Sequence, residues 1–252
     1  MKKFFALLTA VVMMLGMMSF ASAEELTYTQ APMFDALVES GEIPPLEERL
    51  PENPKIADGR SPEYLEYGEY EIGTYGGTIR SGSVTPNYNG DVFCMLTQNL
   101  LTMTDTYSGE VTPNIVEDFE VNDDYTEFTF TLRKGLKWSD GVEVTMEDYK
   151  FAIEDYAFNA ELTPVLNNYF RAGGKSTGEP CTFEVIDDLH FKMTFAEPFG
   201  GFLVHLSVAG WKGYGSFLKP AHFMKQFHKD YAEECHGSLE AYYEFLKRAG
   251  LR

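Results

Sequence analysis

The stretch 119–150, FEVNDDYTEFTFTLRKGLKWSDGVEVTMEDYK, constrains the possible fold more than any other part of the chain. Within it, Phe128, Phe130 and Leu132 alternate with threonine residues. Because successive side chains of a strand point to opposite faces, this spacing predicts a strand with one face in a hydrophobic core and the other in solvent. The stretch therefore predicts half-buried strands at the centre of the fold.

Turn and capping signals divide this stretch into elements. Asp123-Asp124 separates two strand-like runs, and Asp140-Gly141 is a strong turn signal because glycine accepts positive φ and aspartate can bond its own backbone. Thr145, followed three residues later by Asp148, is typical of a helix N-terminus. We therefore expect strand, turn, strand, turn and a capped helix over roughly residues 146–158.

The same stretch carries a family resemblance. Residues 128–149, FTFTLRKGLKWSDGVEVTMEDY, resemble the signature region of the extracellular solute-binding proteins of family 5, the large binding proteins of peptide, nickel and oligosaccharide ABC importers. Flanking runs also match in the family's order. They are Tyr75–Arg80 (YGGTIR), Val111–Pro113 continuing to Phe119, and Asp187–Pro198 (DDLHFKMTFAEP). The resemblance extends over roughly residues 75–225 and is specific.

The resemblance implies an α/β fold of the type II class of periplasmic binding proteins. Residues 75–86 and 199–252 are expected to form an incomplete first lobe on a mixed sheet, and residues 87–198 an inserted α+β subdomain. Members of the family usually have much longer chains. We therefore expect a fragment or truncated product that carries the first half of a binding protein, with the second lobe missing.

The first 23 residues have the pattern of an export signal. Lys2 and Lys3 precede an apolar run from Phe4 to Phe20, and Ala21-Ser22-Ala23 resembles a cleavage site. The alternative is a membrane anchor, but the run is short for the ~20 residues that span a bilayer. The first cysteine is Cys94, so no lipoprotein anchor is indicated. We expect an exported chain that is soluble after cleavage near Ala23, in the periplasm or outside the cell.

Charge and cysteine content restrict the function classes. The formal net charge is −19 at pH 7, and so acidic a surface repels phosphate backbones, which argues against nucleic-acid binding. Cys94, Cys181 and Cys235 form an odd set, so at most one internal disulfide can form. One disulfide and three buried thiols remain equally compatible with the sequence.

Residues 24–74 are acidic and rich in proline and tyrosine, and proline disfavours both helices and central strands. Only Ala31–Ser40 has the pattern of a short amphipathic helix. This segment could wrap the globular body as an arm, using Tyr64, Tyr67 and Tyr70, or could be an unstructured linker. The sequence does not decide between the two.

Six residues are candidate ligand contacts. The resemblance implies that the loop after a first strand at Thr78–Val84 faces the ligand cleft, so Ser83, Thr85 and Asn87 are candidates. It also implies that Tyr169 reaches a ligand from the glycine-rich segment 159–181. Trp211 and Tyr214 lie in a glycine-spaced loop, and exposed aromatic rings between glycines suit stacking on a peptide or sugar. The alternatives are an ordinary surface turn, a packing role for Tyr169 and an aromatic plug in the core.

The rest of the chain shows further periodic patterns. Apolar spacing predicts helices, Ser108-Gly109 predicts a turn, and Asp187-Asp188 predicts a turn within a hairpin. The predicted helices are Gly90–Met103, Phe199–Leu206, Ala221–Tyr231 and Leu239–Leu246, and the predicted hairpin is Thr182–Phe195.

No catalytic or metal-binding motif is present in the sequence. H-E-x-x-H, G-x-S-x-G and EF-hand patterns do not occur, and the histidines are scattered. The conspicuous carboxylate pairs, Asp123-Asp124 and Asp187-Asp188, coincide with predicted turns, so turn chemistry explains them. We therefore expect no enzyme activity, no cofactor and no metal, with a secreted hydrolase acting on glycans or peptides as the alternative.

The function that the resemblance implies is solute binding for an ABC importer. The expected ligand is an oligopeptide or an oligosaccharide, and the expected partners are the membrane subunits of a permease. A monomer is expected. Since the residues that would discriminate peptide from sugar lie beyond this sequence in the family's order, the sequence leaves the ligand open.

Overall fold

The computed structural model describes residues 28–56, 73–78, 80, 82, 98–103, 110–208, 215–232 and 239–248. The chain divides after Leu46 into two units. In the first unit, a 3₁₀ turn at Pro32–Phe34 leads into helix α1, Asp35–Glu39, where a helix was predicted. The remainder of the fold belongs to the second unit.

Within the described ranges, six strands build the sheets of the second unit. In chain order they are β1 (Leu101–Met103), β2 (Val111–Pro113), β3 (Val116–Val121), β4 (Glu127–Leu132), β5 (Thr182–Val185) and β6 (His190–Thr194). Strands β1 and β2 form an antiparallel pair, and the other four form an antiparallel sheet in the order β3-β4-β6-β5. The predicted strands on either side of Asp123-Asp124 and the predicted hairpin Thr182–Phe195 are confirmed.

The register of the sheet places the alternating residues of β4 in the core. Phe130 lies opposite Phe119 on β3 and opposite Phe191 on β6, and its ring stacks on that of Phe191 with centroids 5.1 Å apart. Phe128, Phe130 and Leu132 are all buried, whereas the intervening threonines are only partly covered. The alternation in the sequence therefore predicted the buried face correctly.

The remaining described helices are short. They are α2 (Leu46–Arg49), α3 (Met146–Lys150), which continues as a π-helix at Phe151–Ala157, α4 (Phe202–Ser207), α5 (Ala221–Met224) and α6 (Leu239–Arg248). Further 3₁₀ turns occupy Asn168–Phe170, Ala172–Gly174 and Lys225–Phe227. The helix predicted over 146–158 begins at the predicted residue, since Thr145 and Asp148 form a capping box. None of the described helices is long and apolar enough to cross a membrane.

Asp148 is a buried carboxylate that joins three segments. It accepts hydrogen bonds from the Thr145 amide at 2.9 Å, from the Trp138 indole at 3.2 Å and from the Ala221 amide at 2.7 Å. These donors belong to the cap of α3, to the turn region before it and to the start of α5. Burying a carboxylate is tolerated only when its oxygen atoms are hydrogen-bonded, and here both oxygens are.

Arg133, only 6% exposed, joins the segment 48–55 to the sheet. Its guanidinium donates to the carbonyl oxygens of Asn53, Asn114 and Val116, and burial lowers its pKa from the ordinary value. The Glu52 amide donates to the Lys134 carbonyl at 3.0 Å, and their side chains form an ion pair. These contacts attach residues 48–55 to the sheet, and the arm over residues 24–74 stays a prediction. Tyr64, Tyr67 and Tyr70 lie outside the described residues.

The structure departs from the sequence-based expectation at residues 98–103. We predicted a helix over Gly90–Met103, but Leu101–Met103 is a strand that pairs with Val111–Pro113. Leu100 and Leu101 are buried. Their apolar side chains therefore belong to strand β1 and to the residue before it, and not to one face of a helix. Thr78, Arg80 and Gly82, from the predicted first strand, are exposed and outside any strand.

Cys181 is a free, buried thiol, and burial raises its pKa to about 12. Cys94 and Cys235 lie outside the described residues. Cys181 is therefore an unpaired thiol under either alternative for the cysteines.

We expect Asp148→Asn to lower the free energy of unfolding by about 2–3 kcal/mol. The amide group must face at least one N–H donor, so at least one charge-assisted hydrogen bond is lost. Urea unfolding at neutral pH measures the effect, and Asp123→Asn, at an exposed turn, is the matched control. An Asp148→Asn protein as stable as the parent would contradict the joining role of this carboxylate.

Stability should also depend on pH through Asp140. The hydrogen bond from His222, at 2.7 Å, and the Val142 amide lower the pKa of the Asp140 carboxyl. Such a group stabilises the fold above the unfolded-state pKa of about 3.9, and this contribution is lost as pH falls through the lower folded-state pKa. We expect Asp140→Asn to lower the urea concentration at the unfolding midpoint at pH 7, and to lower it less at pH 3. An equal shift at both values would refute this assignment.

Candidate functional site

A pocket with a volume of about 280 Å³ lies beside Tyr169. It is formed by two segments distant in sequence, residues 167–174 and 199–205. Its lining residues are Asn167, Asn168, Tyr169, Gly174, Phe199 and His205.

The first wall of the pocket is held by a local cap and a buried anchor. The Asn167 side chain accepts a hydrogen bond from the Tyr169 amide at 3.0 Å and so caps the 3₁₀ turn Asn168–Phe170. Phe170 is buried and packs 4.7 Å from the ring of Phe217. Because its chain neighbour is fixed in the core, Tyr169 is held at the pocket with its side chain half-buried.

The second wall is helix α4 and the turn before it. Phe199, which is buried, donates its amide hydrogen to the Tyr125 carbonyl at 2.8 Å. His205 is exposed on α4, and its ring lies 5.3 Å from that of Tyr169 and 5.6 Å from that of Phe199. His205 therefore contacts the rings of both Tyr169 and Phe199, and Phe199 is the buried member of the three.

The polar groups of the pocket are hydroxyl, carboxamide and imidazole groups. Among the described lining residues there is no aspartate, glutamate, lysine or arginine. Three side-chain groups make no hydrogen bond with the described part of the chain: the Tyr169 hydroxyl, the Asn168 carboxamide and the His205 imidazole. Such groups, beside aromatic faces, are typical of a ligand-binding site.

Gly174 leaves the room that the pocket needs. Its φ of +68° is a left-handed conformation, and a Cβ atom there would lie 2.6 Å from Phe199 Cζ. Only glycine meets both conditions without displacing the aromatic ring. The sequence shows a glycine-rich segment here but did not indicate that Gly174, Phe199 and His205 belong to one site. No local sequence pattern links the two segments.

Of the six predicted contacts, only Tyr169 can be located. It lines the pocket, and it also contacts Phe217 with ring centroids 6.4 Å apart. Ser83, Thr85, Asn87, Trp211 and Tyr214 lie outside the described residues, so their contribution stays a prediction.

A larger groove of about 850 Å³ lies at the end of β4, beside α3 and the β5–β6 turn. Its cations already have partners: Arg133 binds carbonyl oxygens, Lys134 pairs with Glu52, and Lys150 lies 3.9 Å from Glu154. The groove is therefore lined by groups that stabilise the fold, and its polar atoms are less available to a ligand than those around Tyr169.

The carboxylate pairs have the turn roles that the sequence indicated. Asp187 accepts hydrogen bonds from the amides of Leu189 and His190, and from the His190 ring at 2.7 Å. These bonds lower the pKa of the Asp187 carboxyl. Asp123 and Asp124 are exposed in the β3–β4 turn. Within the described ranges, no three histidine, cysteine or acidic residues come together as a metal site.

Comparison with known proteins gives consistent matches. Residues 110–234 match the family described as bacterial extracellular solute-binding proteins, family 5 Middle. The chain is 30% identical to the periplasmic α-galactoside-binding protein of Rhizobium meliloti over 209 residues, which are 79% of this chain and 29% of that protein. It is 32% identical to the periplasmic oligopeptide-binding protein OppA of Salmonella typhimurium over 114 residues, which are 40% of this chain and 21% of that protein.

A solved structure of an oligopeptide-binding protein OppA matches with a TM-score of 0.67 and 30% identity, covering 87% of this chain and 30% of that chain. This similarity shows the type II periplasmic-binding-protein fold in a mixed α/β chain, as expected. The chain thus spans about 30% or less of the length of each of these relatives.

We expect Gly174→Ala to destabilise the protein and to narrow the pocket. The added methyl group combines backbone strain with a clash against Phe199, which together should cost about 1–3 kcal/mol. Thermal and urea unfolding measure the loss. Gly141→Ala is the matched control, since it has a similar positive φ but open space around its Cβ position. Equal losses in the two variants would show that Phe199 imposes no restriction.

Proposed function

Because this chain belongs to the bacterial extracellular solute-binding proteins of family 5, we propose that it is the solute-binding component of an ABC import system. It binds an oligopeptide or an oligosaccharide outside the cytoplasm and delivers it to the membrane subunits of a permease. The relatives reported above are named as binding proteins for these two kinds of ligand.

The pocket at Tyr169 is the observation that carries this proposal. It presents an aromatic ring beside polar side chains that make no hydrogen bond with the described part of the chain, which is the chemistry of reversible binding. Ser83, Thr85, Asn87, Trp211 and Tyr214 remain further proposed ligand contacts, on the family resemblance and the sequence pattern alone. In this role the ligand leaves the protein chemically unchanged.

The proposal includes export of the chain as a monomer. The apolar run that precedes Ala21-Ser22-Ala23 supports a signal peptide cleaved near Ala23. The net charge of −19 supports a soluble product that stays in solution after cleavage.

Binding should depend on the Tyr169 ring. We expect Tyr169→Ala to weaken binding by roughly 10- to 100-fold, since the loss of a stacked aromatic ring costs about 1.5–3 kcal/mol. Calorimetric titration of the exported chain with short peptides and neutral oligosaccharides measures the affinity.

Tyr28→Ala is the control, because it removes an exposed tyrosine that lies outside the pocket lining. Mass spectrometry of the recovered ligand tests for turnover. An altered ligand, or binding that survives Tyr169→Ala unchanged, would contradict the proposal.

A further inference from the structure

We propose that the Tyr169 pocket holds one uncharged sugar unit of an oligosaccharide, and that His205 is the residue that selects it. This inference rests on the proposed solute-binding function and names the ligand class of the same site. His205 was not among the residues that the sequence indicated as contacts.

The electrostatics of the pocket favour a neutral ligand. The chain carries a formal net charge of −19, yet no aspartate, glutamate, lysine or arginine is among the described residues that line this pocket. Lys175, the charged residue next to Gly174 in the chain, is paired with Glu197 at 3.3 Å. A charged ligand group would have to leave water without an opposite charge to replace its hydration, and this is unfavourable. A sugar with hydroxyl groups alone meets no such penalty.

The shape of the pocket suits a single ring-shaped unit. Its volume of about 280 Å³ lies just below the range of about 300–1,000 Å³ that is typical of sites for drug-sized ligands. One sugar unit therefore fits, while the rest of an oligosaccharide extends into solvent or along neighbouring loops. The half-buried Tyr169 ring offers an apolar face on which the C–H face of a pyranose can stack.

The polar groups around this ring match hydroxyl groups. A neutral imidazole has one donor and one acceptor, and a carboxamide has both kinds of group. A sugar hydroxyl also donates and accepts, so vicinal hydroxyls can satisfy His205 and Asn168 together. The His205 ring is already held by contacts with Tyr169 and Phe199, so little freedom is lost on binding.

An apolar side chain of a peptide fits these groups less well. It could stack on Tyr169, but it would cover the His205 nitrogens and the Asn168 amide without replacing their hydrogen bonds to water. Unmade hydrogen bonds of this kind are unfavourable and give a site its selectivity. The same argument makes His205, the exposed polar group in contact with both aromatic rings, the residue that discriminates between the two ligand classes.

NMR titration of the ¹⁵N-labelled exported chain tests the inference, because it detects weak as well as tight binding. The probes are galactotriose, trigalacturonic acid and tri-alanine. The first two differ mainly in the carboxylates of the acid, and tri-alanine represents a small peptide. We expect galactotriose to shift the amide signals of residues 167–174 and 201–206, and trigalacturonic acid to bind at least tenfold more weakly.

Variants of His205 test its role. His205→Leu keeps the bulk of the side chain but removes both polar atoms, so we expect about tenfold weaker galactotriose binding. His205→Gln restores a donor and an acceptor and should bind within about threefold of the parent. His190→Leu is the matched control, since His190 is outside the pocket lining and its loss should leave binding unchanged. Parent-like spectra of the free variants exclude misfolding as the cause.

Each outcome has a distinct meaning. Binding of tri-alanine at Tyr169 without binding of galactotriose would overturn the sugar inference and leave the proposed solute-binding function standing. Equal binding of galactotriose and trigalacturonic acid, or a His205→Leu protein that binds like the parent, would also overturn the inference. Signals unchanged by every probe would overturn both the inference and the site proposed for solute binding.

Discussion

The packing of Phe202 against the central strand connects the sheet to the walls of the pocket. Its ring lies 4.8 Å from that of Phe128 and 6.3 Å from that of Phe130, on the buried face of β4. Phe202 is the first residue of α4, so its burial fixes the helix that carries His205 and the turn that carries Phe199. The alternation of apolar residues in β4 thus determines where the second wall of the pocket lies.

The residues that carry the family resemblance have structural roles in this chain. Arg133 connects residues 48–55 to the sheet through the Asn53 carbonyl. Trp138 donates a hydrogen bond to the buried Asp148, and Asp140 is hydrogen-bonded to His222. Gly135 has a φ of +76° and lies against the backbone of Glu52, which restricts this position to glycine. The recognisable segment is therefore a folding element, whereas the proposed ligand chemistry belongs to residues outside it.

The elements governed by local rules could be predicted from the sequence, and the pocket could not. Strand alternation, the Asp187 turn and the cap at Thr145 are all short-range, and each was predicted correctly. The helix prediction for residues 98–103 was wrong because a short run of buried apolar residues does not distinguish a helix from a strand. The pocket joins Tyr169 to His205 through the packing of distant aromatic residues, for which single-sequence patterns give no signal.

We propose that an aromatic cluster positions a pocket that binds a solute without transforming it. Intermolecular nuclear Overhauser effects between bound galactotriose and the aromatic protons of the protein test this proposal. Contacts from one sugar ring to Tyr169 and His205 are expected, with the trisaccharide intact after the experiment. Contacts confined to the groove beside α3, or a cleaved trisaccharide, would contradict it.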